Sequence, residues 1–327
     1  MHGDPAHMRQ FHGGDPPSPS AAWLDLSTGV NPTAYPLCVD PALLARLPRQ
    51  ADLVRLLTAA RRAYRVPDRW SIIAAPGTHA LIAAIAHQRS GTTAVVSPTY
   101  GEHEAVFRRT TQVEAVGEPG EGAGADTLVV VNPNNPDGRE FGDLAKVCTE
   151  RATASPDRLT IIDEAFADLV PQMSVIPDGP PRTVVLRSVG KFFGLGGVRL
   201  AFAAGDPALI APLKEAIGPW PVSGPALAVA AALEDGVWAN AMRRELRAQR
   251  DALDEVLFEA GWMVSGGTDL FRLINAPDAR ELHNHLAANR IWGRVFDYNP
   301  RWLRLGLPGA DLPRLAGALA SFSGSHV

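Results

Sequence analysis

The sequence predicts an α/β fold in which a mainly parallel sheet lies between helices, followed by a smaller α+β C-terminal domain. Three observations carry this. Between about residues 70 and 205, short apolar runs of strand length alternate with helical periods. Polar residues of unusual chemistry fall at the carboxyl ends of those runs, where open α/β sheets bind their ligands. Beyond Gly205 the composition shifts, and a Gly218-Pro-Trp-Pro segment divides two helical stretches that precede three further strand-like runs.

With 327 residues the chain is long enough for two domains. The expected bounds are an N-terminal arm over 1–40 that packs with the small domain, a large domain over 41–210 and a small domain over 211–327. A hydrophobic content of 46% with 20% charged residues is that of an ordinary globular protein. The formal net charge of −4, without a basic cluster, argues against a nucleic-acid partner. Cys38 and Cys148 show no metal or redox spacing, so no metal is expected and a reducing compartment is. The opening Met1-His-Gly-Asp-Pro lacks a charged region followed by an apolar one. The longest apolar run, Ala226 to Leu233, is too short to span a bilayer. The expectation is a cytoplasmic protein with no membrane partner.

Residues 1–22 are rich in Pro, Gly, Ser and His and read as an irregular arm. Within it, His12-Gly13-Gly14 is either an anion-binding turn, because successive glycines let N–H groups converge, or a flexible terminus. Trp23 onward is a short strand closed by Asn31-Pro32, with Asn31 either facing a ligand or only shaping a turn. Apolar spacing predicts a helix over Leu53 to Tyr64, ended by Pro67. A strand from Trp70 to Ala75 then meets Pro76-Gly77-Thr78 and a helix over Ala80 to His87. Free N–H groups and the helix dipole suit that junction to phosphate, and a plain capped turn has the same pattern. The strand Thr93 to Pro98 ends near Tyr100, which is either a stacking partner for a planar ring or a core aromatic; a helix starts over Glu102 to Arg108. Thr127 to Val131 is followed by Asn132-Pro-Asn-Asn135-Pro-Asp-Gly138, a rigid loop presenting side-chain amides.

The strand from Leu159 carries Asp163 and Glu164 at its carboxyl end. Carboxylates there are costly unless paired with a cation or hydrogen-bonding group, and a carboxylate is the group that keeps a pyridine nitrogen protonated. Thr183 to Leu186 leads into Ser188-Val-Gly-Lys191-Phe-Phe-Gly-Leu-Gly-Gly-Val-Arg199, and a strand over Val198 to Ala203 follows. Lys191 is poorly placed for a solvated charge and well placed to form a Schiff base with a carbonyl cofactor, of which pyridoxal phosphate is the commonest. Ser188 and Arg199 suit a phosphate, the arginine by a bidentate fork. Helices are predicted over Pro207 to Ile217, Pro225 to Ala260 and Ala279 to Asn289, and strands near Trp262, over Leu270 to Ile274 and over Trp302 to Gly306. In the last of these Arg304 alternates with leucines and points either to solvent or to a carboxylate.

Taken in order, Gly77-Thr78 after a strand, Tyr100, the Asn132–Gly138 loop, Asp163-Glu-Ala-Phe166, Ser188-x-x-Lys191 and the late Arg304 resemble the aminotransferases of fold type I, classes I and II. The resemblance runs over nearly the whole chain. It implies a mainly parallel seven-stranded sheet, pyridoxal 5'-phosphate as cofactor and a homodimer. It also implies Lys191 as the Schiff-base lysine and acid/base, Asp163 at the pyridinium nitrogen, Tyr100 on the ring, Asn135 at the ring hydroxyl and Arg304 at the substrate carboxylate. The cofactor phosphate would take the N–H groups of Gly77 and Thr78, the Ser188 hydroxyl and the Arg199 guanidinium. Two departures stand out: Phe166 and Leu47 replace tyrosines found in many relatives, the second of which reaches the neighbouring subunit's cofactor phosphate there. Further phrases, among them His12-Gly-Gly, Trp23-Leu-Asp-Leu-Ser-Thr-Gly-Val-Asn-Pro and Gly218-Pro-Trp-Pro-Val-Ser-Gly, resemble the branch that decarboxylates a phosphorylated amino acid in cobalamin biosynthesis. That branch implies a small phosphorylated amino-acid substrate; His12 and Asn31 are expected on the substrate side, with His12 and the arm closing over the substrate phosphate. The same lysine and aspartate serve an aminotransferase of the histidinol-phosphate type, so the catalytic residues leave both open. A remote alternative is a non-catalytic binding module of the same fold; loss of Lys191 or Asp163 would have supported it, and both are present.

Overall fold

The computed structural model describes residues 13–17 and 22–324. A two-residue strand, β1 (Leu24–Asp25), is followed by β2 (Ser71–Ala75), β3 (Thr92–Val96), β4 (Gln112–Val116), β5 (Thr127–Val131), β6 (Leu159–Asp163), β7 (Thr183–Ser188) and β8 (Ala201–Gly205). The last seven form one sheet in the order β2-β8-β7-β6-β5-β3-β4. Neighbours are parallel except at β8, which runs antiparallel to both β2 and β7. Every residue of β5 and β6 is buried, as the continuous apolar runs require of a sheet covered on both faces. Ile73, Leu81, Ile85, Val95, Phe107, Val129, Ile161 and Leu186 belong to one core that joins the sheet to the helices Thr78–Ala86 and Glu102–Phe107.

The single reversal has a topological result. The carboxyl ends of β2, β3, β5, β6 and β7 share one edge of the sheet, and β8 starts from that same edge. The turns beginning at Pro76, Ser97, Asn132, Glu164 and Val189 therefore open on one side, and Arg199 enters β8 there.

Among the elements around the large sheet, β4 and the helix Leu144–Ala154 escape the sequence pattern. Strand β4 lies at the sheet edge with only Val116 buried, so it shows no continuous apolar run. The helix Leu144–Ala154 buries two apolar residues and the polar Arg151, too few for a clear period. Strand β8 starts later than expected because Gly196–Val198 forms a 3-10 turn and Arg199 has φ 56°. The long predicted helix is divided into Gly224–Leu227, Ala230–Glu234 and Gly236–Glu259. Asp235 leaves helical geometry at the second break, and its Oδ1 accepts from Trp238 N at 2.9 Å.

Two compact units divide the chain, one of Val30–Arg247 with Gly266–Asp269 and the other of the remaining residues. The expected division at 210 falls inside the first unit. Packing explains the difference: Pro207–Ile217 lies on β2, β8 and Thr78–Ala86, and Ala230–Glu234 on the helix Gln50–Ala63. Of the expected arm, the described residues up to Gly29 go with the second unit and those from Val30 with the first. The remaining strands are β9 (Val264–Thr268), β10 (Phe271–Asn275), β11 (Ile291–Trp292), β12 (Arg294–Phe296) and β13 (Asn299–Gly306). Four of them form a sheet in the order β12-β13-β10-β9, while β11 pairs in parallel with β1. No helix among the described residues is long and apolar enough to cross a membrane.

Gly138 closes the asparagine-rich loop with φ 74°, and a Cβ there would run into the Gly267 carbonyl. Replacing Gly138 with Ala should cost about 1–3 kcal/mol of stability, read as a lower urea midpoint. An unchanged midpoint would show that this backbone contact yields.

Candidate active site

The chain has three lysines. Lys146 and Lys214 lie exposed on helices, whereas Lys191 is half-buried in the turn after β7. That turn is held from several sides. Asn31 is buried; its Nδ2 donates to Phe192 O at 2.8 Å and its Oδ1 accepts from Thr33 N at 2.8 Å. Backbone bonds from Asn31 N to Lys191 O (3.0 Å) and from Tyr35 N to Phe193 O (2.8 Å) continue the attachment. Phe193 stacks on Trp238 and Phe192 meets the same indole edge-on, with centroids 5.7 and 5.6 Å apart. The two phenylalanines thus anchor the turn in the core. The Lys191 amine sits 5.5 Å from the centre of the Phe166 ring. Asn31, read from the sequence as a ligand contact or turn former, uses both ends of its amide to shape the lysine's surroundings.

Gly77 caps Thr78–Ala86 with φ 94°, and a Cβ there would lie 2.6 Å from Arg199 Nη2. Glycine is therefore what lets the guanidinium lie against the first turn of the helix, whose leading N–H groups have no intrahelical acceptor. Arg199 is itself in the left-handed region, and its Nη1 donates to Gly196 O at 3.1 Å. Ser188 Oγ accepts from Gly190 N at 3.2 Å, and Gly190 packs against Gly196. A guanidinium, a hydroxyl and a helix start converge here from β2, β7 and β8. Together they make a donor set of the kind a phosphate needs, and the phosphate end of pyridoxal phosphate fits it.

Asp163 ends β6 and is buried. Its Oδ1 accepts from Ala165 N at 3.0 Å and its Oδ2 lies 3.0 Å from His103 Nε2. A carboxylate only accepts, so His103 carries a hydrogen on Nε2; its Nδ1 is buried without a hydrogen-bond partner among the described residues. The Tyr100 ring packs edge-on against the imidazole, 5.9 Å between centroids. Tyr100 and His103 are three residues apart where a helix begins, which puts both on one face. Sequence reasoning missed His103, because that spacing reveals a shared face but not what the face meets.

Asn135 is half-buried in the loop after β5. The other two asparagines serve the loop itself: Asn134 accepts from Thr99 Oγ1 (2.7 Å) and donates to Pro98 O (2.9 Å) and Asp137 Oδ1 (2.8 Å), while Asn132 Oδ1 accepts from Phe141 N (3.0 Å). In the second unit Arg304 is buried in β13, opposite Leu273 of β10 and Arg294 of β12. Its Nη2 donates to Ser27 O at 2.6 Å, and its guanidinium lies 5.0 Å from the centre of the Phe271 ring. Burial, with Arg294 nearby, pulls its pKa down to about 10. Ser27 Oγ also accepts from Gly14 N at 2.7 Å, so the glycine turn of the arm and Arg304 meet on one residue. His12 lies outside the described residues.

Truncating Asn31 to Ala removes both amide bonds and should cost about 1–3 kcal/mol. Urea unfolding checks this, and a loss within error of zero would show that the lysine turn holds its shape without the amide.

The aminotransferase class I and II family model matches residues 110–322. A threonine-phosphate decarboxylase of Pseudomonas aeruginosa is 39% identical over 316 residues, 93% of this chain and 93% of the relative. One from Sinorhizobium sp. is 37% identical over 91% of this chain and 92% of its own. Among solved structures, L-threonine-O-3-phosphate decarboxylase from Porphyromonas gingivalis matches with a TM-score of 0.74 at 18% identity, covering 91% of this chain and 98% of that one. The fold is that of the fold type I enzymes, and the chain belongs to the aminotransferase class I and II family.

Proposed function

We propose that this protein decarboxylates L-threonine O-3-phosphate to (R)-1-aminopropan-2-yl phosphate and CO2, with pyridoxal 5'-phosphate (PLP) as cofactor, in cobalamin biosynthesis. The observation that carries this reading is identity of 39% and 37% to two threonine-phosphate decarboxylases over more than nine-tenths of the chain. The site geometry supports it, with a buried carboxylate, a half-buried lysine and a phosphate-suited corner at one sheet edge.

When bound, PLP supplies an electron-withdrawing ring that accepts the electron pair left as a bond to the substrate α-carbon breaks. Gly77, Thr78, Ser188 and Arg199 hold its phosphate, Tyr100 covers the ring and Asn135 takes the ring hydroxyl. Asp163 holds the proton of the ring nitrogen, while His103 keeps the second carboxylate oxygen in place by donating from Nε2. Lys191 Nζ would be the group that holds the cofactor aldehyde, and its amine would carry the proton delivered to the α-carbon. Phe166 places no hydroxyl beside that amine. Arg304 grips the substrate carboxylate and so decides which α-carbon bond is set to break. His12 is assigned to the substrate phosphate, while Asn31, expected on the substrate side, serves by holding the lysine turn. The same proposal includes a cytoplasmic homodimer: Leu44 and Leu47 are 70% and 64% exposed, and a second copy would cover them.

Given PLP and L-threonine O-phosphate, the protein should release CO2 with no keto-acid acceptor. Amino transfer from histidinol phosphate to 2-oxoglutarate, without CO2, would replace this reading with an aminotransferase. Lys191→Ala and Asp163→Asn should each slow turnover by about 10²–10⁴-fold. His103→Leu should slow it about tenfold, and His103→Gln, which restores a donor, should recover part of that loss. Equal rates across the set would remove these residues from the chemistry.

A further inference from the structure

Tyr64, Glu164, Asp168 and Arg187 are all buried and have no part in the chemistry above. Arg187 joins them. Its Nη1 donates to Glu164 Oε2 at 2.9 Å, its Nη2 donates to Asp168 Oδ1, and its guanidinium lies 4.3 Å from the centre of the Tyr64 ring. Glu164 also accepts from Ser174 Oγ (2.6 Å) and Val175 N (2.9 Å). Burial pushes the Glu164 pKa up, against the pull of Arg187. Burial alone would lower that of Arg187, but Asp168 and Glu164 raise it overall. The cluster continues toward the lysine, for Arg243 Nε donates to Asp168 O at 2.6 Å and its guanidinium lies 5.1 Å from the centre of the Phe192 ring.

Stability does not explain this expense of buried charge. Apolar residues of similar volume often serve a core as well as a buried ion pair, or better. The position does explain it. Strands β6 and β7 pair as far as Asp163 and Leu186, and Glu164 N still donates to Leu186 O at 2.9 Å. Beyond that point β7 pairs only with β8, through Arg187 and Ser188. The two strands must part there to open the site, and the Arg187 fork bridges them where the ladder ends. Glu164 adjoins Asp163, Ser188 adjoins Arg187, and Phe192 adjoins Lys191, so each end of the cluster is one residue from a proposed cofactor contact.

We propose that Arg187 is a positioning residue which, through Glu164 and Asp168, sets the spacing between Asp163 and the Ser188–Lys191 turn. This rests on the reading that the turn holds PLP. The test is equilibrium PLP binding to wild type, Arg187→Lys, Ser188→Ala and the double variant, with urea unfolding of each protein before PLP is added. Lysine keeps the charge but cannot span two carboxylates. Arg187→Lys should weaken PLP binding by about tenfold in the wild-type background and by no more than about threefold beside Ser188→Ala, because the hydroxyl it positions is then gone. A lower unfolding midpoint with PLP affinity unchanged, or losses that simply multiply, would make Arg187 a structural residue only and overturn the proposal. Should Arg187→Lys not fold, Glu164→Gln, which keeps the size of the side chain, undergoes the same comparison. Wild-type protein that fails to bind PLP would overturn the cofactor reading and this inference together; wild-type binding with an indifferent Arg187→Lys overturns the inference alone.

Discussion

The carboxylate of Asp163, held out of water at the end of a buried parallel strand, is the constraint on which the rest of the site depends. Burying such a charge without compensation costs several kcal/mol. Two donors from different parts of the chain offset it: the Ala165 N–H just beyond the strand and the imidazole of His103. Strand β6 is the fourth of seven across the sheet. Its neighbours lie about 4.8 Å to either side, so the Asn132–Gly138 loop after β5 and the lysine turn after β7 reach the space around Asp163 from opposite flanks. Placing the acid in the middle of the sheet makes the other groups accessible to it.

Reversal of β8 completes the arrangement. An all-parallel sheet would bring only carboxyl ends to the site edge, whereas β8 brings its amino end and with it Arg199. The arginine pays for that entry with a left-handed backbone, φ 56°, a conformation that a side chain with a Cβ adopts reluctantly. Gly77 supplies the matching absence of a side chain on the facing helix start. Arg199 and Gly77 are 122 positions apart in the chain but pack against each other, an arrangement suited to an anion.

Strands β2, β3, β5, β6 and β7 are legible because burial on both faces demands unbroken apolar runs. Lys191, Asp163, Gly77 and Arg199 are legible for the complementary reason: each is chemically out of place at the end of such a run. What stays hidden depends on partners remote in sequence. His103 means nothing without Asp163 opposite it, and Asn31 bonds to Phe192, 161 residues away. Glu164 and Arg187 flank residues singled out for chemistry, yet only the fold shows that they pair with each other. Strand β4 and the helix Leu144–Ala154 bury too little to leave a pattern, and the unit boundary near 247 follows from helices folding back on the sheet rather than from any change in composition.

Because the chain has only three lysines, the central claim has a direct measurement. Protein loaded with PLP is reduced with borohydride, digested, and the modified peptide identified by mass. The account requires the cofactor mass on Lys191 in one copy per chain. Label on Lys146 or Lys214 instead, or no fixed label at all, would contradict the assignment of the turn after β7 as the place where the cofactor is held.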